Sequence, residues 1–160
     1  MKQVLQSLEN GVTTVAEVPA ARAGNGQLLI RTSTSLVSAG TERMLVEFGR
    51  GNFIDKARQQ PDKVRQVIQK MGTDGVAATV DAVRSKLNQP LAPGYCNVGR
   101  VVEIGPAVRG FSIGDRVASN GKHAEVVAVS QNLCARIPDD VDDDSAAFTV
   151  LGAIALQGVR

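Results

Sequence analysis

The stretch from Gly94 to Val117 decides the fold class, and it reads GYCNVGRVVEIGPAVRGFSIGDRV. Its first half, Val98 to Ile104, is rich in β-branched residues, which favour an extended strand. Three glycines divide the remainder into short pieces: Gly105, Gly110 and Gly114. Short strands separated by glycine turns are typical of a small barrel, either closed or partly open.

The same strand pattern continues on both sides of this stretch. The other predicted strands are Val4 with its neighbours, Thr13–Val18, Leu28–Val37, Arg116–Ala118, Ala124–Val129 and Cys134–Ile137. A turn at Glu9-Asn10-Gly11 separates the first two, because glycine tolerates the positive φ that a tight turn requires. The chain therefore predicts a domain built mainly from β-strands.

The segment 42–89 interrupts the strands and is predicted to be a helical insertion. Val64, Val67, Ile68 and Met71 recur at helical spacing. The predicted helices are Glu42–Phe48, Ile54–Met71 and Val76–Leu87, cut by glycines and Pro61. The insertion carries nine of the eighteen basic residues. We interpret its basic face as a solvated helix surface, with a lid or a subunit contact as the alternative.

An aspartate-rich segment, 138–145, leads into an apolar helix predicted over Ala146–Val159. A calcium loop would need a central Gly and a terminal Glu, which the segment lacks. We therefore interpret Asp142 as the helix N-cap, with its neighbours at the positive end of the helix dipole. A helix that is apolar on nearly every side must be covered, so we expect a downstream part of the protein or a partner against it.

Composition excludes several classes of function. The chain has 160 residues, 43% apolar and 21% charged, as in one globular domain. Aromatic residues make up 3%, and the net charge is +2, which disfavours nucleic acid and anionic membranes as partners. The N-terminus alternates polar and apolar residues, so no signal peptide is predicted. The longest apolar stretch, Ala146 to Leu156, is too short for a membrane span. Cys96 and Cys134 suggest no disulfide framework, so we expect a cytoplasmic protein.

On these residues the chain resembles the medium-chain dehydrogenase/reductase family. It is most similar to the N-terminal GroES-like catalytic domain of zinc-type alcohol dehydrogenases, over residues 1–40 and 90–160. The most specific match is the Gly-Phe-x-x-Gly-Asp-Arg-Val segment at 110–117. Further matches are Gly40-Thr41-Glu42, His123-Ala124-Glu125-Val126, Ile137-Pro138-Asp139 and Ala146-Ala147. The resemblance implies a GroES-like, partly open β-barrel with a helical insertion at 42–89, α+β overall.

The zinc ligands of that family do not carry over to this chain. The corresponding positions hold Ala39, Tyr95 and Leu151. A catalytic zinc needs three protein ligands and one open position, so the resemblance implies the zinc-free branch. An improvised site from Cys96, Cys134 and His123 is the alternative, although isolated cysteines are more often small buried hydrophobic residues.

The resemblance also implies a cofactor, NAD or NADP, and hydride transfer to or from a carbonyl, an alcohol or an activated alkene. The chain lacks the glycine-rich dinucleotide motif, since Gly24-Asn25-Gly26 is followed by Leu29 where a third glycine should fall. We therefore expect a Rossmann domain downstream, and a chain that alone neither binds the dinucleotide nor turns over. The chain further resembles a bi-domain oxidoreductase subgroup fused to a glucose–fructose-oxidoreductase-like module, which suggests a sugar-derived substrate. Whether the protein forms a homo-oligomer is left open by the sequence.

Three residues are candidates for the chemistry. Thr41 matches the family's proton-relaying hydroxyl, with a strand-end threonine bonded to local backbone as the alternative. Tyr95 replaces a zinc histidine, so its phenol either bonds the substrate oxygen or fills the vacated metal space. His123 is the single histidine and either lies near the nicotinamide or faces solvent in a turn.

Two non-enzymatic functions remain open alongside the oxidoreductase. The first is a metal-free interaction module that keeps the barrel without catalysis. The second is a GroES-type co-chaperonin. The dehydrogenase-like turns and the apolar last helix argue against it, because a co-chaperonin has no use for them.

Overall fold

The computed structural model describes residues 1–159. The strands are β1 (Lys2–Gln6), β2 (Thr13–Glu17), β3 (Gln27–Ser35), β4 (Asn97–Ile104), β5 (Arg116–Ser119), β6 (Val126–Ser130) and β7 (Cys134–Arg136). The helices are α1 (Thr41–Arg50), α2 (Phe53–Gln59), α3 (Pro61–Asp74), α4 (Val76–Asn88), α5 (Asp143–Ala146) and α6 (Thr149–Gly158). A short 3₁₀ turn, Gln131–Leu133, precedes β7.

Five strands form one antiparallel sheet in the order β6-β3-β4-β5-β7, and β1 pairs with β2 in a separate two-stranded sheet. In the described residues the two edge strands, β6 and β7, do not pair with each other, so the sheet is open. This arrangement of antiparallel sheets and helices confirms the α+β class, and it selects the partly open form over the closed barrel. The turn predicted before β2 is confirmed, because Gly11 has a φ of 72°.

The five-stranded sheet buries side chains on both faces. One face carries the main cluster: Leu28, Ile30, Val101, Val117, Val127 and Val129. The other face carries Val98, Ala118, Ile137, Ala146 and Ala147, the last two contributed by α5 and the residue after it. Full burial of a leucine or isoleucine such as Leu28 or Ile30 stabilises the fold by roughly 1.5–3 kcal/mol each.

The chain divides into two units. The first contains Met1–Val4, Val15–Ser38 and the residues from Ala92 onward, and the second contains Leu5–Thr14 and Ala39–Leu91. The first unit holds the five-stranded sheet, α5 and α6. The second holds α1 to α4, so the helical character predicted for 42–89 is confirmed.

The predicted cut at Pro61 is confirmed. The helical segment expected over Ile54–Met71 is divided there into α2, which ends at Gln59, and α3, which begins at Pro61. Pro61 is the first residue of α3, where its missing N–H costs nothing, whereas inside a continuous helix it would remove a hydrogen bond. Asn52 caps α2 by accepting from the Asp55 backbone nitrogen at 2.9 Å.

Most basic side chains of the second unit are exposed, which is compatible with a solvated face and also with a lid or a subunit contact. Lys56 is the exception, with 8% of its surface exposed. Its Nζ donates to the carbonyl oxygens of Glu9, at 2.7 Å, and Gly49, at 3.0 Å. Lys56 therefore links the β1–β2 turn to the end of α1 within this unit.

The C-terminal helix also differs from its prediction. Residues 146–159 were expected to form one helix, but α5 ends at Ala146 and α6 begins at Thr149. The Phe148 nitrogen donates to the Ser145 carbonyl, three residues back, which tightens the last turn and ends α5. The Asp142 cap is confirmed, since its Oδ1 accepts from the Ser145 nitrogen at 2.7 Å.

Helix α6 exposes its apolar side chains in this chain. Ile154 is 60% exposed and Leu156 is 63% exposed. That a downstream part of the protein or a partner covers α6 stays a prediction. Across residues 1–159, none of the helices combines the length and the apolar character that crossing a membrane requires.

Candidate functional site

His123 lies in the loop between β5 and β6 and is the centre of the candidate site. Only 8% of its surface is exposed. Its backbone nitrogen donates to the Pro93 carbonyl at 3.0 Å, and its own carbonyl accepts from the Val4 nitrogen at 2.9 Å. The ring nitrogen Nδ1 lies 2.8 Å from the Ser35 hydroxyl. The alternative that His123 faces solvent in a turn is therefore wrong, because its backbone and ring are both bonded inside the first unit.

Gly94 brings the loop that carries Tyr95 against the loop that carries His123. Gly94 has a φ of 100°, a backbone conformation that residues other than glycine rarely adopt. A Cβ at this position would lie 2.6 Å from the His123 nitrogen and 2.8 Å from its ring Cδ2. Tyr95 is the next residue and is half-buried. The structure therefore joins the loops of two residues that the sequence analysis proposed independently.

A buried network of polar side chains on the five-stranded sheet holds the His123 loop. This network was not predicted from the sequence. Asn97 and Ser119 are each 1% exposed. The Asn97 amide donates to Thr32 Oγ1 at 2.8 Å, and Thr32 Oγ1 donates to the Ala124 carbonyl at 2.6 Å. Ser119 Oγ accepts from the Gly121 nitrogen at 3.2 Å. The network thus bonds the loop on both sides of His123.

Strand register is the reason that the network was not visible in the sequence. Ser35 is opposite Asn97 on β4, and Asn97 is opposite Ser119 on β5. The three residues are separated by more than twenty positions along the chain. The one available signal was a polar residue, Asn97, directly before the strand predicted over Val98–Ile104.

An open cavity of about 300 Å³ borders His123. Its wall includes Lys2, Val15, Thr32, Ser35, His123 and Glu125, all in the first unit. The wall therefore combines hydroxyls and an imidazole with an amine and a carboxylate. Groups of this kind can orient a small polar molecule by hydrogen bonds.

Thr41 lies in the second unit, as the first residue of α1, and its side chain is exposed. The alternative that it ends a strand is wrong, because β3 ends at Ser35. Its part in proton relay stays a prediction.

The side chains present do not fit a catalytic zinc. Among residues 1–159, no group of three or more His, Cys, Asp or Glu side chains is arranged to hold a metal ion. The improvised site from Cys96, Cys134 and His123 is therefore not formed. Cys96 is buried, and burial raises the pKa of the Cys134 thiol to about 11, which disfavours the thiolate that a metal requires.

Residues 60–153 match the family described as the alcohol dehydrogenase GroES-like domain. This chain belongs to that family. The match confirms the predicted resemblance of this chain to the GroES-like domain of medium-chain dehydrogenases and reductases. It begins at Gln60, immediately before α3, so part of the segment 42–89, which was expected to lie outside the usual family pattern, lies inside the match.

The GroES-like domain is also similar to individual proteins. L-threonine 3-dehydrogenase of Shewanella woodyi is 32% identical over a region that covers 37% of this chain and 26% of that protein. The quinone oxidoreductase of Coxiella burnetii superposes with a TM-score of 0.64 and 20% identity, covering 100% of this chain and 46% of its own.

Two further solved structures share the fold. A mycobacterial protein in complex with NADPH has a TM-score of 0.62 and 24% identity, over 99% of this chain and 40% of its own. The 2R,3R-butanediol dehydrogenase of Bacillus subtilis has a TM-score of 0.64 and 15% identity, over 99% of this chain and 46% of its own. The chain therefore spans less than half the length of the proteins it resembles.

Proposed function

We propose that this chain is the substrate-side domain of a zinc-independent, NAD(P)-dependent oxidoreductase. The reaction transfers a hydride to or from a carbonyl, an alcohol or an activated alkene, and a sugar derivative is the proposed substrate. The observation that carries the proposal is the junction at Gly94, where the Tyr95 loop meets buried His123 in a domain of a dehydrogenase family. A downstream dinucleotide-binding domain completes the protein, in keeping with the greater length of its relatives.

The nicotinamide, when bound, supplies or accepts the hydride. The residues of this chain then bind the substrate and stabilise the charge that develops on its oxygen. This oxygen gains a proton when a carbonyl is reduced and loses one when an alcohol is oxidised. In the proposal the Tyr95 hydroxyl donates a hydrogen bond to this oxygen, in the role of an oxyanion-stabilising donor. Thr41 is the proposed relay for the proton, as the family resemblance implies.

His123 is the proposed second polar group at the reaction site. An imidazole can donate a hydrogen bond from one ring nitrogen and accept one at the other, so it can bind either a carbonyl or a hydroxyl of the substrate. His123 is largely buried beside the polar cavity, and the low local dielectric strengthens any hydrogen bond from its ring to a bound substrate.

Zinc independence is supported by the chemistry of the donor set. Alanine and leucine at two ligand positions have no atom that binds a metal, and a neutral tyrosine is a weak ligand. We expect elemental analysis of the purified chain to find less than stoichiometric zinc. About one zinc per chain after mild chelation would contradict this part of the proposal.

Hydride transfer is tested on the full-length protein with NADH and NADPH in parallel. We expect calorimetry to detect binding of one of the two dinucleotides to the full-length protein and of neither to the 160-residue chain, which lacks the phosphate-binding turn. Absorbance of the reduced nicotinamide then follows turnover on a panel of sugar-derived ketones, aldehydes and alcohols. A full-length protein that binds neither dinucleotide would favour the non-catalytic interaction module.

A further inference from the structure

The contact between Ser35 and His123 has the geometry of a positioning pair. Ser35 Oγ is 2.8 Å from His123 Nδ1. Ser35 is the last residue of β3 and is opposite Asn97 in the sheet register. The hydroxyl is therefore held by a sheet rather than by a loop, and groups fixed on strands orient their partners more accurately.

The His123 ring has little freedom to turn away from this hydroxyl. Its backbone is bonded at both the nitrogen and the carbonyl, and Gly94 lies against its Cγ and Cδ2 atoms. Rotating the ring by half a turn about χ2 would replace Nδ1 by carbon opposite the serine. A buried ring in that orientation would lose its hydrogen bond to Ser35 without gaining water in exchange.

A hydroxyl is both a donor and an acceptor, so the direction of the hydrogen bond between Ser35 and Nδ1 sets the tautomer of the neutral ring. If it donates to Nδ1, the proton of the neutral ring lies on Nε2. If it accepts from Nδ1–H, the lone pair lies on Nε2. The same contact accommodates the protonated ring, since the hydroxyl rotates to accept.

We propose that Ser35 is the positioning residue of His123: its hydroxyl fixes the ring orientation and selects the nitrogen that carries the proton. The catalytic consequence of this pair rests on the proposed function, in which His123 serves the reaction site. The orientation and the tautomer themselves do not depend on any activity.

Nitrogen-15 NMR of the imidazole in the 160-residue chain tests the proposal. The chain has one histidine, so without an affinity tag every imidazole signal belongs to His123. The two ring nitrogens report the tautomer under alkaline conditions, where an imidazole is neutral. We expect one dominant tautomer in the wild type, and an equal mixture of the two would overturn the proposal.

The variants Ser35→Thr and Ser35→Val form a matched pair, because they have nearly the same shape and both suit a strand. We expect threonine to keep the wild-type tautomer ratio. We expect valine to change it about fivefold, the effect of about 1 kcal/mol of hydrogen-bond free energy, or to turn the ring so that its proton contacts with Gly94 change. Ser130→Ala, at the far end of β6, is the control for losing a hydroxyl in the same sheet.

Identical tautomer ratios and ring contacts in the threonine and valine variants would overturn the proposal. This readout uses neither substrate nor dinucleotide. A negative NMR result therefore leaves the oxidoreductase proposal standing, and failure of dinucleotide binding in the full-length protein leaves the positioning proposal standing.

Discussion

Gly94 packs so closely against His123 that only glycine fits at position 94. A Cβ on Gly94 would lie 2.6 Å from the His123 backbone nitrogen and 2.9 Å from the ring atom Cγ. The contact joins two loops that are nearly thirty residues apart in the chain. It therefore determines the position of His123 relative to the residue that follows Gly94.

Gly94→Ala tests this contact through stability. The substitution adds backbone strain at a φ of 100° and a steric clash with backbone atoms that cannot move independently. We expect the free energy of unfolding to fall by about 2–4 kcal/mol in urea titration. The matched control is Gly114→Ala, where φ is 93° but no atom lies within 4 Å of the new Cβ, so only about 1–2 kcal/mol should be lost. Equal losses at the two positions would contradict a specific contact.

Asp143 gives the first unit an acid-sensitive link. The Ser33 hydroxyl and the Arg116 guanidinium both bond this carboxylate, and they hold its pKa below the ordinary value of 3.8. A depressed pKa means that the link is fully present above the unfolded-state value and is lost as pH falls through the folded-state value.

We therefore expect Asp143→Asn to lower stability by a constant amount above the ordinary carboxyl pKa, and the difference from wild type to shrink below it. Urea titrations at a series of pH values measure this difference. Asp144→Asn, in the same first turn of α5, is the control. A difference that persists unchanged at the acid end would show that charge is not what Asp143 contributes.

Tyr95→Phe separates the two roles of the tyrosine in the full-length protein. If the hydroxyl stabilises charge on the substrate oxygen, its loss should lower turnover by ~10²-fold or more. If the ring only fills space, turnover should stay unchanged and stability should change by ~1 kcal/mol. Thermal unfolding is measured first, so that a folding defect is not read as a catalytic one. Wild-type turnover in the folded variant would move the catalytic role to Thr41, His123 or the dinucleotide.

Cys134 should be slow to react with thiol reagents in the native chain. Burial raises its pKa from 9.0 to about 11, and its Sγ donates to the Ser130 carbonyl. The thiolate fraction near neutral pH then falls about a hundredfold, and the rate with Ellman's reagent should fall with it. Both cysteines should react rapidly once the chain is unfolded in guanidinium. Fast labelling of native Cys134, identified by mass spectrometry, would contradict the burial.

The sequence by itself determined the elements of this protein. Glycine turns and β-branched runs placed the strands within a few residues, and the aspartate cap at Asp142 was correct because capping depends on neighbours in the chain. The motif at 110–117 and its neighbours identified the family. Local propensity was misleading after Ala146, where α5 ends and a separate helix, α6, begins at Thr149.

Only the tertiary structure decided the environment of the candidate site. From the sequence, His123 could either face solvent in a turn or lie near the nicotinamide, since burial depends on residues that its neighbours in sequence do not reveal. The register of β3, β4 and β5 places Ser35, Asn97 and Ser119 in one row, and a shift of one residue would turn these side chains to the opposite face. That register is set by the packing of the two apolar clusters on the sheet, an effect of contacts between distant segments of the chain.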